Sequence, residues 1–288
     1  MKISRILNEK NRTLSFEVFP PKSDAAYESV CKATEEIASL SPDFISVTYG
    51  AGGGTSEYTL DISQNIEKKY HIPVLTHITC VSSSKSRVKE YIKRINASGI
   101  ENVMALRGDI PAGRENEDRT AWDYHHASDL ISEIRNCGYD FCIGGACYPE
   151  VHPESVSEED DLRHLKMKVD SGCDFLTTQM FFDNSLFYRF LEKTDAAGIT
   201  VPVIPGIMPV TTISQAERAR TISGSYMPSS LLDDFERFRN DPVSVKQVGL
   251  DYALQQINDL YGHGIRNVHV YTMNKVDVAL YIRNGAVK

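Results

Sequence analysis

Eight short runs rich in β-branched and aromatic residues recur along the chain, at 14–19, 44–49, 74–79, 102–106, 141–147, 175–180, 201–204 and 267–272. They are apolar on both faces, which suits parallel strands buried between helices. Helix-length amphipathic segments separate most of them. Asp24 precedes a run bearing Val30, Ile37 and Leu40, Thr55 or Ser56 can cap the next, and Ser84 caps a segment holding Val88, Ile92 and Ile95. Gly99, Gly138, Gly172 and Gly198 each follow a helix-like stretch, where a left-handed terminating residue belongs. A strand–helix–glycine unit repeated in this way predicts an α/β protein, a (β/α)8 TIM barrel forming one domain over residues 1–288. The seventh connection, 211–264, is long enough for two or three helices, with breaks at Pro228 and Pro242. A doubly wound dinucleotide fold competes, but it needs about six strands and a clearer change of topology.

Composition narrows the function classes. Hydrophobic residues make up 41% of the 288, enough for a large core. The 31 basic and 39 acidic residues leave a net charge of −8, which disfavours nucleic acid as the main partner. No run approaches the roughly 18 apolar residues of a membrane span. The opening MKISRILNEKNR has no apolar stretch of signal-peptide type. The six cysteines form no CxxC pair, and the five-residue spacing of Cys137, Cys142 and Cys147 matches no common zinc pattern. The expectation is a cytoplasmic protein with buried reduced thiols and no metal site.

In such barrels the reactive groups collect where strands end at the C-terminal face. The expected strand ends carry Glu17, then Thr48 and Tyr49, His77, Arg107 and Asp109, Tyr148 and His152, Gln179, and finally Asn274 and Lys275. Taken singly, each has a bland reading: a strand glutamate in a salt bridge, a core histidine, a plain turn at 107–109. YGAGGG after the second strand fails the GxGxxG spacing of a dinucleotide loop. Their concentration at corresponding strand ends favours a shared site. In EEDDLRHLKMKVDSG, Leu162, Leu165 and Val169 form a core stripe, and Asp161, His164 and Lys168 share the neighbouring face. That face suits either solvent or the ribose and phosphates of a nucleotide cofactor.

The blocks SFEVFPPKS, FISVTYGAGG, THITC, ALRGDIP, HHASDLI, CYPEVHPE, LKMKVDSGCDFLTTQMFFD, IPGIMPV and VHVYTMN run from Ser15 to Asn274. In this order they resemble the flavin-dependent methylenetetrahydrofolate reductases of single-domain bacterial type. The resemblance implies FAD at the C-terminal mouth and reduction of 5,10-methylenetetrahydrofolate to 5-methyltetrahydrofolate by a ping-pong cycle fed by NADH or NADPH. It implies Glu17 as general acid, Asp109 as an acid touching flavin and pterin, and Gln179 shared by both substrates. Thr48 falls where nicotinamide is contacted. The implied FAD contacts are Tyr49, Ala51, His77, Arg107, Gly108, Asp109, Ala127, Tyr148, His152, Asp161 and Lys168, with His164 on the same helix face. Gln215 matches a folate contact, and Lys275 stands near the folate glutamate tail.

A carboxylic acid can protonate the folate ring where burial lifts its pKa towards working pH. Phe16, Val18 and Phe19 are expected to limit hydration around Glu17. The departures are His164 and Met167 in place of asparagine and arginine, Lys275 in place of arginine, and Ala219 about where some relatives carry a stacking phenylalanine. The chain has no long C-terminal extension for a regulatory domain, and no 2′-phosphate clamp separates NADH from NADPH. Family relatives are commonly homo-oligomers, and some anaerobic ones take electrons through a partner subunit. That arrangement, and a flavin-free barrel acting on pterins or phosphorylated substrates, are the rival readings.

Overall fold

The structure, a computed structural model, describes all residues except 22, 50–54, 111–112, 114–117, 223 and 287–288, and leaves out the side chains of 55, 56 and 222. A short helix, α1 (Ile3–Glu9), comes first. Strands and helices then alternate as β1 (Thr13–Val18), α2 (Tyr27–Ser39), β2 (Ile45–Val47), α3 (Thr55–Tyr70), β3 (Val74–Thr79), α4 (Lys85–Ala97) and β4 (Asn102–Leu106). The alternation continues through α5 (Ala127–Asn136), β5 (Cys142–Cys147), α6 (Glu158–Asp170), β6 (Phe175–Thr178) and α7 (Asn184–Ala196). The last part holds β7 (Val203–Ile204), β8 (Gly206–Ile207), α8 (Ile213–Ile222), α9 (Ser229–Arg237), α10 (Pro242–Gly262), β9 (Asn267–Tyr271) and α11 (Val276–Gly285).

Every strand pairing is parallel, in the order β7-β6-β5-β4-β3-β2-β1-β9-β8. β7 and β8 are two halves of one stave split at Pro205, which has no N–H to give the ladder. The first half pairs with β6 and the second with β9, so the sheet closes into the expected (β/α)8 barrel. The split is stitched by the Pro205 carbonyl, which accepts from the His269 N–H at 3.0 Å, and by the Gly206 N–H, which donates to Thr178 Oγ1 at 2.9 Å.

The helix signals hold in most places. Ser84 Oγ caps α4 through the Arg87 N–H, and Gly99, Gly138, Gly172 and Gly198 have φ of +81°, +75°, +110° and +70°. The Asp24 segment starts with a single 3-10 turn, so α2 begins later than the cap residue suggests. The Thr55 or Ser56 cap lies outside the described side chains. The seventh connection contains α8, α9 and α10, with Pro228 just before α9 and Pro242 opening α10.

The strands alternate between two environments. Leu14, Phe16 and Val18 join a core cluster with Ile37 of α2, Ile62 of α3, Ile257 of α10 and Ile282 of α11. Ser15 and Glu17 therefore face the barrel interior. Val268 and Val270 of β9 join the same outer cluster, so His269 and Tyr271 also turn inward. At the N-terminal end the interior is apolar: Phe44, Leu75, Met104, Phe175 and Ile204 meet Ile3, Ile6 and Leu7 of α1. That helix plugs the barrel, and its start is tied down by the Ile3 N–H donating to Asn102 Oδ1 at 2.7 Å. Full burial of each aliphatic plug residue contributes about 1.5–3 kcal/mol.

Candidate functional site

At the other end of the barrel the interior turns polar and opens into a cleft of ≈ 1120 Å³. Glu17 lies on its floor, 8% exposed. Ser46 Oγ donates to Glu17 Oε2 at 3.2 Å, while His77 Nε2 and His269 Nε2 stand 3.7 and 3.8 Å from the same oxygen. Burial pushes the His77 pKa down to about 4, against the opposing pull of Glu17, so this imidazole is neutral at working pH. Tyr271 donates its hydroxyl hydrogen to the Thr178 carbonyl at 2.5 Å, and burial raises its pKa well above the ordinary tyrosine value. Phe16 and Val18 do not shield Glu17, because strand alternation sends them into the outer helix layer. Its surroundings are instead the two imidazoles, Tyr271 and Phe19, which lines the cleft beside it.

All the sequence-predicted site residues line this cleft except Ala51, Gln215, Asn274 and Lys275. Ala51 lies outside the described residues. Gln215 and Lys275 form a separate knot on Thr211: Gln215 Oε1 accepts from the Thr211 N–H at 2.8 Å and from its hydroxyl at 2.9 Å, and Lys275 Nζ donates to the same hydroxyl. Asn274 is spent on the backbone, its amide oxygen accepting from the Phe19 N–H and its amide nitrogen donating to the Phe19 carbonyl. Ala219 is buried with Phe182, Val210 and Met227, so this position serves the core.

One wall of the cleft comes from the ends of β4 and β5 and from α6. Arg107 grips Glu154 with both terminal nitrogens, which raises its pKa further, and so ties the β4 loop to the β5 loop. Asp161, in the first turn of α6, accepts from the His152 N–H at 3.2 Å and from the Ser155 hydroxyl at 3.0 Å. Tyr148 packs edge-on against His152, with ring centres 4.6 Å apart. One helical turn on, His164 stacks on His126 at 5.6 Å, beside Ala127 at the start of α5. Lys168, a turn further, donates to the Ala146 carbonyl. It makes no ion pair among the described residues, and burial lowers its pKa. A cation held in this way is suited to an anionic ligand. Met167, 50% exposed, adds no charge here.

On the opposite wall, the Thr48 N–H donates to the Val18 carbonyl at 3.0 Å and the Thr48 carbonyl accepts from the Thr59 hydroxyl. Tyr49 meets Tyr91 edge-on at 5.4 Å. Asp109 is exposed on the rim, next to Gly108, whose φ is positive and where an added Cβ would press on Thr79 and Val81 at 3.0 Å. The Gln179 side chain accepts from the Met180 N–H at 3.0 Å. Sequence reasoning missed Ser46, His126, Glu154, His269 and Tyr271. For His269 and Tyr271 a signal existed: in VHVYT the valines claim the outer face and leave the alternate positions for the interior.

Residues 2–286 match the family profile described as methylenetetrahydrofolate reductase. The 5,10-methylenetetrahydrofolate reductase of Pectobacterium carotovorum subsp. carotovorum is 35% identical over 269 residues, covering 93% of this chain and 88% of that one. The enzyme of the same name from Escherichia coli (strain K12) is 33% identical over the same shares. Methylenetetrahydrofolate reductase (NADH) 1 of Arabidopsis thaliana is 32% identical over 283 residues, 95% of this chain and 48% of its own length. Among solved structures, an uncharacterized protein from Clostridium thermocellum, described as binding two copies of 5-methyl-5,6,7,8-tetrahydrofolic acid, superposes with a TM-score of 0.66 over 99% of this chain and 98% of that one. At 17% identity it shares the fold.

Proposed function

The chain belongs to the methylenetetrahydrofolate reductase family, and on that premise we propose that it reduces 5,10-methylenetetrahydrofolate to 5-methyltetrahydrofolate with NADH, using FAD held in the barrel mouth. The observation that carries this reading is a buried carboxyl, Glu17, on the floor of a cleft of ≈ 1120 Å³. Ligand pockets usually span roughly 300–1,000 Å³, so the space suits a large cofactor with a substrate laid against it.

The residues present fit FAD by their chemistry. Lys168 offers an ammonium whose hydrogen bond goes to a backbone carbonyl, ready for a diphosphate. Tyr148, His152 and Ala127 line the same wall for the remainder of the cofactor. FAD held there would supply hydride-transfer chemistry linking oxidation of NADH to reduction of the folate.

Glu17 gives its proton to a nitrogen of the folate imidazolidine ring. The bond from that nitrogen to the methylene carbon breaks, and the other nitrogen is left as an iminium cation. Hydride addition at the methylene carbon then makes the methyl group. One proton and one hydride are consumed, and Glu17 recovers its proton from solvent before the next turnover. A neutral His77 beside it adds no positive charge that would hold Glu17 as the carboxylate. On the rim, an Asp109 carboxylate would stabilise the developing cation electrostatically. Gln179 contacts either substrate from the cleft wall, and Thr48 contacts nicotinamide. Gln215 and Lys275, joined through Thr211, take the folate tail, with Lys275 as a point charge.

The test is anaerobic stopped-flow mixing of purified protein carrying FAD. NADH should bleach the flavin absorbance, and 5,10-methylenetetrahydrofolate should restore it. Colourless protein that takes up no FAD would sink the cofactor assignment. Flavin that stays oxidised in NADH and in NADPH would point to a separate electron-donating subunit.

A further inference from the structure

Behind Glu17 the barrel interior holds a polar chain that the proposed reaction leaves unused. His269 is 2% exposed, and Ser15 and Ser46 are fully buried. The imidazole is fixed in orientation by a parallel stack on Phe44, with centres 5.8 Å apart, and by the edge of Tyr271 at 5.5 Å. Its Nδ1 lies 2.7 Å from Ser15 Oγ, and Ser15 donates its single hydrogen to the Val268 carbonyl at 3.2 Å. With that hydrogen committed, the Nδ1–Ser15 contact needs a hydrogen on Nδ1. In the neutral imidazole with that hydrogen on Nδ1, Nε2 is a bare acceptor.

Nε2 lies 3.3 Å from Ser46 Oγ, and the same hydroxyl lies 3.2 Å from Glu17 Oε2. Ser46 has one hydrogen for two acceptors. When Glu17 is a carboxylate, Ser46 donates to it. When Glu17 holds a proton, its own O–H can donate to Ser46 Oγ, and the Ser46 hydrogen turns to Nε2. Only the second state bonds every group: in the first, Nε2 is left without a donor, so the His269 acceptor favours the protonated carboxyl.

We infer that His269 is a positioning residue for Glu17, acting through Ser46 by accepting the serine hydrogen whenever Glu17 carries its proton. This rests on the reading of Glu17 as the acid. Other groups face Glu17 as well: His77 from β3 and Tyr271 from β9. Arg107 and Asp109 stand on the rim of the cleft, with Arg107 engaged by Glu154. None of them touches the Ser46 hydroxyl in the contacts described above.

The test measures the rate of flavin reoxidation by 5,10-methylenetetrahydrofolate across pH in pre-reduced holoenzyme. His269→Phe keeps an aromatic ring but removes Nε2, so the Ser46 hydrogen stays with Glu17 and favours the carboxylate. The pH above which the rate falls should drop by about one unit. Ser46→Ala removes both the donor to the carboxylate and the acceptor for the protonated acid; the bond to the charged form is the stronger, so that pH should rise, by about one unit. The double variant should behave as Ser46→Ala alone, because His269 acts through Ser46. Should His269→Phe not fold, as judged by flavin absorbance and melting temperature, Ser46→Ala and His269→Gln carry the test. Gln offers a replacement acceptor and should sit near the parent profile. An unmoved profile in Ser46→Ala, or a His269→Phe shift that persists in the double variant, overturns the inference. A Glu17→Gln enzyme that still reoxidises at the parent rate overturns the underlying acid assignment instead.

Discussion

The two ends of the barrel are built from the same strands and filled in opposite ways. The lower interior is an apolar plug of Ile3, Ile6, Leu7, Phe44, Leu75, Met104, Phe175 and Ile204. The upper interior holds Glu17, His77, Ser46 and His269, buried polar groups that an apolar filling would spare the fold. The lower end gains stability from every side chain it buries. The upper end keeps titratable groups out of water, at a cost that hydrogen bonding only partly offsets. The difference separates the part of the core that holds the barrel together from the part that buries polar and titratable groups beside the cleft.

Paired substitutions break this comparison most sharply. Glu17→Gln should slow flavin reoxidation by folate roughly 10²–10⁴-fold while leaving the melting temperature near its parent value. Leu7→Ala should do the converse, costing about 2–5 kcal/mol in denaturant unfolding with stopped-flow traces unchanged. An activity loss from Leu7→Ala, or gross unfolding in Glu17→Gln, would mean the two ends are not separable.

Acid titration gives the next effect in size. The His77 pKa in the fold is about 4, below its ordinary 6.5, so folding favours the neutral form. Its contribution is complete above about pH 6.5 and is lost progressively as the pH falls towards 4. The difference corresponds to on the order of 3 kcal/mol. Unfolding free energy measured between pH 7 and 4 should fall less steeply in His77→Gln than in the parent, whereas lower-end variants should keep the parent slope.

The smallest effect belongs to the rim. Arg107→Lys loses the two-pronged grip on Glu154, whose side chain is 48% exposed, and should cost less than about 1 kcal/mol. Hydrogen exchange in the β4 and β5 loops should quicken before global stability changes.

The hydrophobic pattern marked every strand of the barrel to within a few residues, because parallel strands buried on both faces leave continuous apolar runs. It stopped the seventh stave at 204, where the proline interrupts the run although the stave resumes beyond it. The α1 plug went unread: Ile3, Ile6 and Leu7 show helical spacing, but seven residues are too few to declare a helix by periodicity. The strand-end pattern also brought Glu17, Asp109, Gln179 and the α6 face to one cleft, since strand ends in a barrel converge by construction.

What the amino-acid order determined by itself was therefore the barrel, its rim and the family to which the motifs point. What only the tertiary structure decided was which groups share a hydrogen. Ser15, Ser46 and His269 come from β1, β2 and β9, and their meeting depends on the register that sets Glu17 level with Ser46 and Tyr271. Hydrogen bonds act over about 3 Å, and no pattern along one strand fixes a cross-barrel distance to that precision. The surroundings of Glu17 were settled in the same way, by the imidazoles across the interior and not by Phe16 and Val18 beside it in sequence.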